Sequence, residues 1–139
     1  MAIKNYTTSV PAFQSIGEIQ GALAVHGAER IIVDYKDGKP TGISFVLNTS
    51  MGMHGFVLPA SVDGTLRAFA KQKVKQNREQ AEKTAWRNVR DWVLAQIALI
   101  ESCDMAIEEP FLPYLADQKG NTLFDAFQSG KLFLPEGKA

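Results

Sequence analysis

The chain has 139 residues, 45% of them hydrophobic and 22% charged, which suits one domain with a real core and excludes a disordered or low-complexity protein. Fifteen basic and fifteen acidic side chains cancel, so the molecule as a whole has no pull on nucleic acid or anionic lipid, and any such pull must come from a local patch. The single cysteine, Cys103, excludes an internal disulfide and points to a reducing compartment.

The N-terminus MAIKNYTTSV lacks the apolar stretch of a signal peptide. The longest apolar run, Trp92 to Ile100, is interrupted by Gln96 and falls well short of the ~20 residues that span a bilayer. The expected setting is the cytoplasm, with no membrane partner.

In chain order, NYTTSV (5–10) is expected as an edge strand ahead of Pro11. SIGEIQGALAVHG (15–27) reads as a helix. Ser15 and Glu18 have capping-box spacing, Ile16, Ile19 and Leu23 share a face, and Gly27 is a C-terminal stop. In RIIVDYKDGKPTGISFVLNT (30–49), Ile31, Val33 and Tyr35 alternate with their neighbours, as do Ile43, Phe45 and Leu47. Asp37-Gly38 between them marks a hairpin, with a loop expected to exceed two residues because Pro40 follows. HGFVLP (54–59) follows as a third hairpin-linked strand. The N-terminal half, residues 1–60, is thus β-α-β-β-β with antiparallel neighbours.

From Ser61 the period becomes helical. Val62, Leu66 and Phe69 form one stripe, and Trp86, Val89, Trp92, Val93, Ile97 and Ile100 form another. On one straight helix the stripes would not align, so the spacing predicts a break near Gln76–Asn77 and two helices, about 61–75 and 78–104, with Asn77 as a cap. The tail is broken by Pro110, Pro113 and Pro135. It carries a short helix over 122–129, capped by Asn121 or Thr122 and stopped by Gly130. Its rings, Phe111, Tyr114, Phe124, Phe127 and Phe133, are too many for a solvated tail and must cover the core or a second subunit, which suggests a homodimer. The expected fold is α+β in one domain, 1–139: a small antiparallel sheet, two helices and an aromatic tail.

Few residues offer chemistry. His26 and His54 lack the companions that a zinc site needs, and no metal or cofactor is expected. His26 precedes a helix stop, where its cation suits the dipole. Cys103 has no adjacent base and reads as a packing thiol. The glycines of DGKPTG and GMHG are turn residues, not a phosphate loop. The pair Glu108-Glu109 reads as surface. No acid–base pair or activated nucleophile can be named, so an enzyme is the least favoured class.

The strongest local signal is charge. Arg67, Lys71, Lys73, Lys75, Arg78, Lys83, Arg87 and Arg90 face only Glu79 and Glu82 within that run. Arg67, Lys71, Lys75 and Arg78 are expected on one helical arc. Lys83, Arg87 and Arg90 are expected on the back of the tryptophan helix, with Arg87 paired to Asp91. These seven are the candidate contacts for a ligand or nucleic acid, since a row of cations can follow phosphates. A solvated helix face is the competing reading. Trp86 and Trp92 could stack bases, but their spacing with Val89, Val93 and Ile97 is that of a core.

Ala85–Glu101, AWRNVRDWVLAQIALIE, followed by FLPY at Phe111–Tyr114, resembles small accessory proteins encoded by bacteriophages and prophages, through an A-W-R-x3-D-W-V-x-A-Q-x-A-L-I-E motif. The resemblance extends over nearly the whole chain. It implies a phage accessory protein in an infected bacterial host and brings no catalytic or binding residues with it. The expected function is non-enzymatic binding: inhibition of a host defence nuclease, or sequestration of a small nucleotide signal. The alternative is a nucleic-acid accessory protein using the basic face.

Overall fold

The computed structural model describes residues 1–130, so Phe133 and Pro135 lie outside the described residues. Helix α1 (Ala12–Val25) is followed by strands β1 (Ala28–Lys36), β2 (Lys39–Thr49) and β3 (Gly52–Pro59), then α2 (Val62–Lys71) and α3 (Arg78–Ser102). The tail adds α4 (Glu108–Phe111), a 3-10 turn at Leu112–Tyr114, β4 (Leu115–Ala116) and α5 (Leu123–Gln128). All neighbours in the sheet are antiparallel, in the order β1-β2-β3-β4. The fold is α+β.

One face of the sheet packs against the helices. Ile43, Phe45, Leu47, Phe56 and Leu58 from the sheet meet Ile16, Ile19 and Leu23 from α1 and Trp86, Val93 and Ile97 from α3 in a single buried cluster. The two apolar periods of the sequence, two in the strands and 3.6 in the helices, therefore converge on one interior. Trp86 is fully buried, and its indole N–H donates to the Pro40 carbonyl at 3.3 Å. Phe111 seals the cluster with its ring edge toward Phe45 (centroids 5.4 Å) and Phe56 (6.4 Å), while Trp92 bridges Phe111 and Tyr114 at 5.7 Å each. Two tail rings thus cover the core, whereas Phe124 and Phe127 are half exposed on α5.

Several expectations fail for identifiable reasons. Residues 5–10 form no strand. Asn5 takes a positive φ of 65°, and polar side chains of α3 hold the segment. Thr84 Oγ1 donates to the Asn5 carbonyl, Gln80 donates to the Thr8 carbonyl, and the Asn5 amide donates to Asn88 and Asp91. With part of its backbone satisfied by side chains, the segment does not need a sheet neighbour. The first helix starts at Ala12, not Ser15, because Pro11 supplies an extended entry and lacks the N–H that would otherwise be orphaned. Ser15 is then a buried interior residue, and Glu18 is released to reach α3.

The hairpin loop is two residues, not longer. Asp37 (φ 52°) and Gly38 (φ 77°) make the primed turn that matches strand twist. Pro40 lies inside β2, accommodated because Thr41 is an extra residue there: Asp34 faces Gly42 while Tyr35 faces Pro40. The break between the two helices occurs as expected, and Asn77 accepts from the Gln80 N–H at 2.9 Å. However, α2 stops at Lys71 and Lys73 has φ 57°, so Lys75 lies in the connector and not on a helical arc. In the tail, Thr122 and Asp125 form a full capping box.

Candidate functional site

The seven candidate cations separate. Arg67, Lys71, Lys75 and Arg78 are exposed. Arg78 is bound to Asp63 in the first turn of α2, and the neighbouring Arg78, Arg67 and Lys36 hold the Asp63 carboxyl below its ordinary range. Arg87 and Arg90 do not form a basic back. Each donates to one oxygen of Glu18, at 2.8 and 3.0 Å, and their side chains are only 18% and 25% exposed. Arg90 also donates to Asp91 at 3.0 Å, so the expected Arg87–Asp91 pair is replaced by Arg90–Asp91, with Lys4 at 3.2 Å on the other carboxylate oxygen. The arginines pull Glu18 below its usual pKa, hydrogen bonding from Arg87 foremost. Burial pushes Asp91 upward, but bonds from Asn5, Arg90 and Lys4 outweigh it and leave the group lowered. This network fastens α1 and the N-terminal segment to α3.

Lys83 instead lines an open cleft of about 1040 Å³. The β1–β2 hairpin forms one wall, with Tyr35, Lys36, Asp37, Lys39 and Pro40. The starts of α1, α2 and α3 form the other, with Phe13, Ile16, Val62, Asp63, Arg78, Glu79, Glu82 and Lys83. Phe13 is 77% exposed and Tyr35 63% exposed, although both are large rings. Four cations (Lys36, Lys39, Arg78, Lys83) stand against four carboxylates (Asp37, Asp63, Glu79, Glu82), so the cleft is polar at its rim but electrically balanced.

Sequence reasoning missed this site. Tyr35 continues the inward phase of Ile31 and Val33, which implies a core residue. It lies at the hairpin end, beyond the cover of the helices, so its inward phase opens into the cleft. The signal for Phe13 was available, since it falls off the face made by Ile16, Ile19 and Leu23, but it requires the helix to start at Ala12.

A second groove, about 600 Å³, crosses the other face of the sheet, lined by Ile32, Val46, Met53, His54, Gly55 and Val57 among others. His54 is exposed and lines this groove. Cys103 is exposed, not packed, because it caps α3 beyond the last buried residue, Ile97. Glu108 accepts from the Ser50 hydroxyl at 2.5 Å and ties the start of α4 to the β2–β3 turn. Among the described residues no group of three or more His, Cys, Asp or Glu is arranged to hold a metal ion, and no helix is long and apolar enough to cross a membrane. No family model matches the chain, and neither a curated protein nor a solved structure matches it.

Proposed function

We propose that this protein is a non-catalytic binding protein, a phage accessory factor acting in the host cytoplasm, and that its ligand is a segment of a host polypeptide such as a defence nuclease. The observation that carries the reading is the cleft that leaves the Phe13 and Tyr35 rings in water between balanced charges. Exposed aromatics that cost little entropy to order are the anchors of protein interfaces, and a polar rim of both signs is their usual surround. The balance also weighs against sequestration of a small nucleotide, since a phosphate-bearing ligand calls for a cation surplus.

The test is affinity capture from host lysate with the wild-type chain and with Phe13→Ala/Tyr35→Ala, followed by titration calorimetry with the captured protein. The double variant removes two exposed rings and keeps the fold, so capture by wild type and loss in the variant is the expected result. Equal capture by both, or tight binding of a mononucleotide or dinucleotide, overturns the polypeptide reading.

Nucleic-acid binding is the second reading, favoured by the exposure of Arg67, Lys71 and Lys75 on and beyond α2. Three phosphate contacts give a salt slope of only about 3 on a log–log scale, which is weak, non-specific binding. A gel shift at low salt that retains no single- or double-stranded DNA removes it.

A further inference from the structure

We propose that the outer edge of β1 is the interface with a second copy of this chain, the two β1 strands pairing antiparallel about a two-fold axis at Ile32. In the sheet order β1 is terminal, and no described strand lies on its outer side. Its central stretch, Arg30 to Asp34, runs between two irregularities, the extra residue Glu29 on β1 and the extra residue Thr41 on β2. Natural sheet edges are blunted by charged side chains, lysine above all, by proline, by inward-pointing charge and by bulges. From Arg30 to Asp34 there is no lysine, proline or bulge, and the only charges are Arg30 and Asp34 themselves, on the outer face.

The stretch carries apolar residues on both faces. Ile32 is 51% exposed on the outer face, and Ile31 and Val33 are only half-buried on the inner face. Their cross-strand neighbours, Phe45 and Ile43, are fully buried, so the core stops one strand short of complete cover.

Charge selects the occupant. Arg30 and Asp34 share the outer face and flank Ile32 at equal spacing. Arg30 has no ion pair among the described residues, and Asp34 accepts one hydrogen bond from Ser44 through Oδ2, which leaves Oδ1 available. A second copy set antiparallel with Ile32 opposite Ile32 brings Arg30 opposite Asp34 twice, and Ile31 opposite Val33 twice. The edge is therefore complementary to itself, which is the requirement of a two-fold interface. Five paired residues are a small contact beside the roughly 1,600 Å² of a standard stable interface, so the dimer is weak and concentration-dependent.

The full chain in a Cys103→Ser background tests this by sedimentation and by cross-linking. Opposed residues across an antiparallel pair have Cα atoms about 4.5–5.5 Å apart, within disulfide range. Ile32→Cys is expected to form a disulfide dimer under mild oxidation, while Ile31→Cys, which faces Val33, is not. Arg30→Asp is expected to weaken association about tenfold or more, and Arg30→Asp/Asp34→Arg to restore it. A chain that is monomeric at every concentration, a dimer indifferent to Arg30→Asp, or equal cross-linking at positions 31 and 32 overturns the proposal.

Discussion

The cations on and just beyond α2 and those in the middle of α3 belong to one basic run of sequence, yet the fold uses them in opposite ways. Arg67, Lys71 and Lys75 extend into water, with no hydrogen-bonded carboxylate partner among the described residues. Arg87 and Arg90, further along the chain in α3, are drawn inward by a single carboxylate sixty-nine and seventy-two residues away in sequence. Charge density along a chain therefore says little about a surface until the acid that meets it in space is known. Two of the seven cations of the apparent binding face, Arg87 and Arg90, are internal fasteners.

The largest effect tests the fastened side. Trp86→Ala removes a fully buried ring and its bond to Pro40, and is expected to cost about 3–5 kcal/mol in chemical denaturation. A loss below about 1 kcal/mol would mean that α3 is not seated as described. Next is Glu18→Gln, which leaves two guanidiniums beside each other without their shared anion. It is expected to lower the melting temperature more than Arg87→Gln does, because one removed carboxylate takes an ion pair from both arginines, leaving Arg87 with none and Arg90 with Asp91 alone. If the two variants melt alike, the network is not shared.

Smaller again is a pH effect at the far end of the same helix pair. His26 Nδ1 faces the Ala22 carbonyl at 2.8 Å and Nε2 faces Glu101 at 2.6 Å, so only the imidazolium donates to both. The Ala22 carbonyl first and Glu101 second raise its pKa above the ordinary 6.5. A raised folded-state pKa stabilises fully below the unfolded value and is lost as pH rises through the folded one. Stability should fall on going from pH 6 upward through the neutral range, and His26→Gln should flatten that slope. An unchanged slope in the variant would assign it to another group. The smallest effects belong to the solvated side: Arg67→Ala, Lys71→Ala and Lys75→Ala should each stay within about 0.5 kcal/mol of wild type, and a larger loss at any of them would erase the contrast with α3.

Much of the architecture was legible because period and punctuation are local. The strands of the hairpin, the cap at Asn77, the stop at Gly27 and a cap at Asn121 or Thr122, which falls on Thr122, each depend on a few neighbouring residues. What could not be read was long-range. Glu18 has ideal spacing to Ser15 for a cap, and only the position of α3 shows that its carboxylate is engaged elsewhere. Pro40 argues for a longer loop until an extra residue in β2 absorbs it. The cleft depends on three helix starts and a hairpin that meet only in the folded chain, so no window of sequence announces it. Phe13 was the one accessible clue, an aromatic off the apolar face of its own helix.

The bond between the Trp86 indole and the Pro40 carbonyl also makes the molecule its own optical probe. Pro40 lines the cleft, and Trp86 is sealed inside. An occupant that displaces the hairpin wall would alter the polarity around the indole N–H and shift its emission. Trp92, half-buried between Phe111 and Tyr114 in the tail, supplies a reference within the same spectrum. Replacing Trp92 with Phe would isolate the Trp86 signal, and occupancy of the cleft could then be followed by fluorescence without any label.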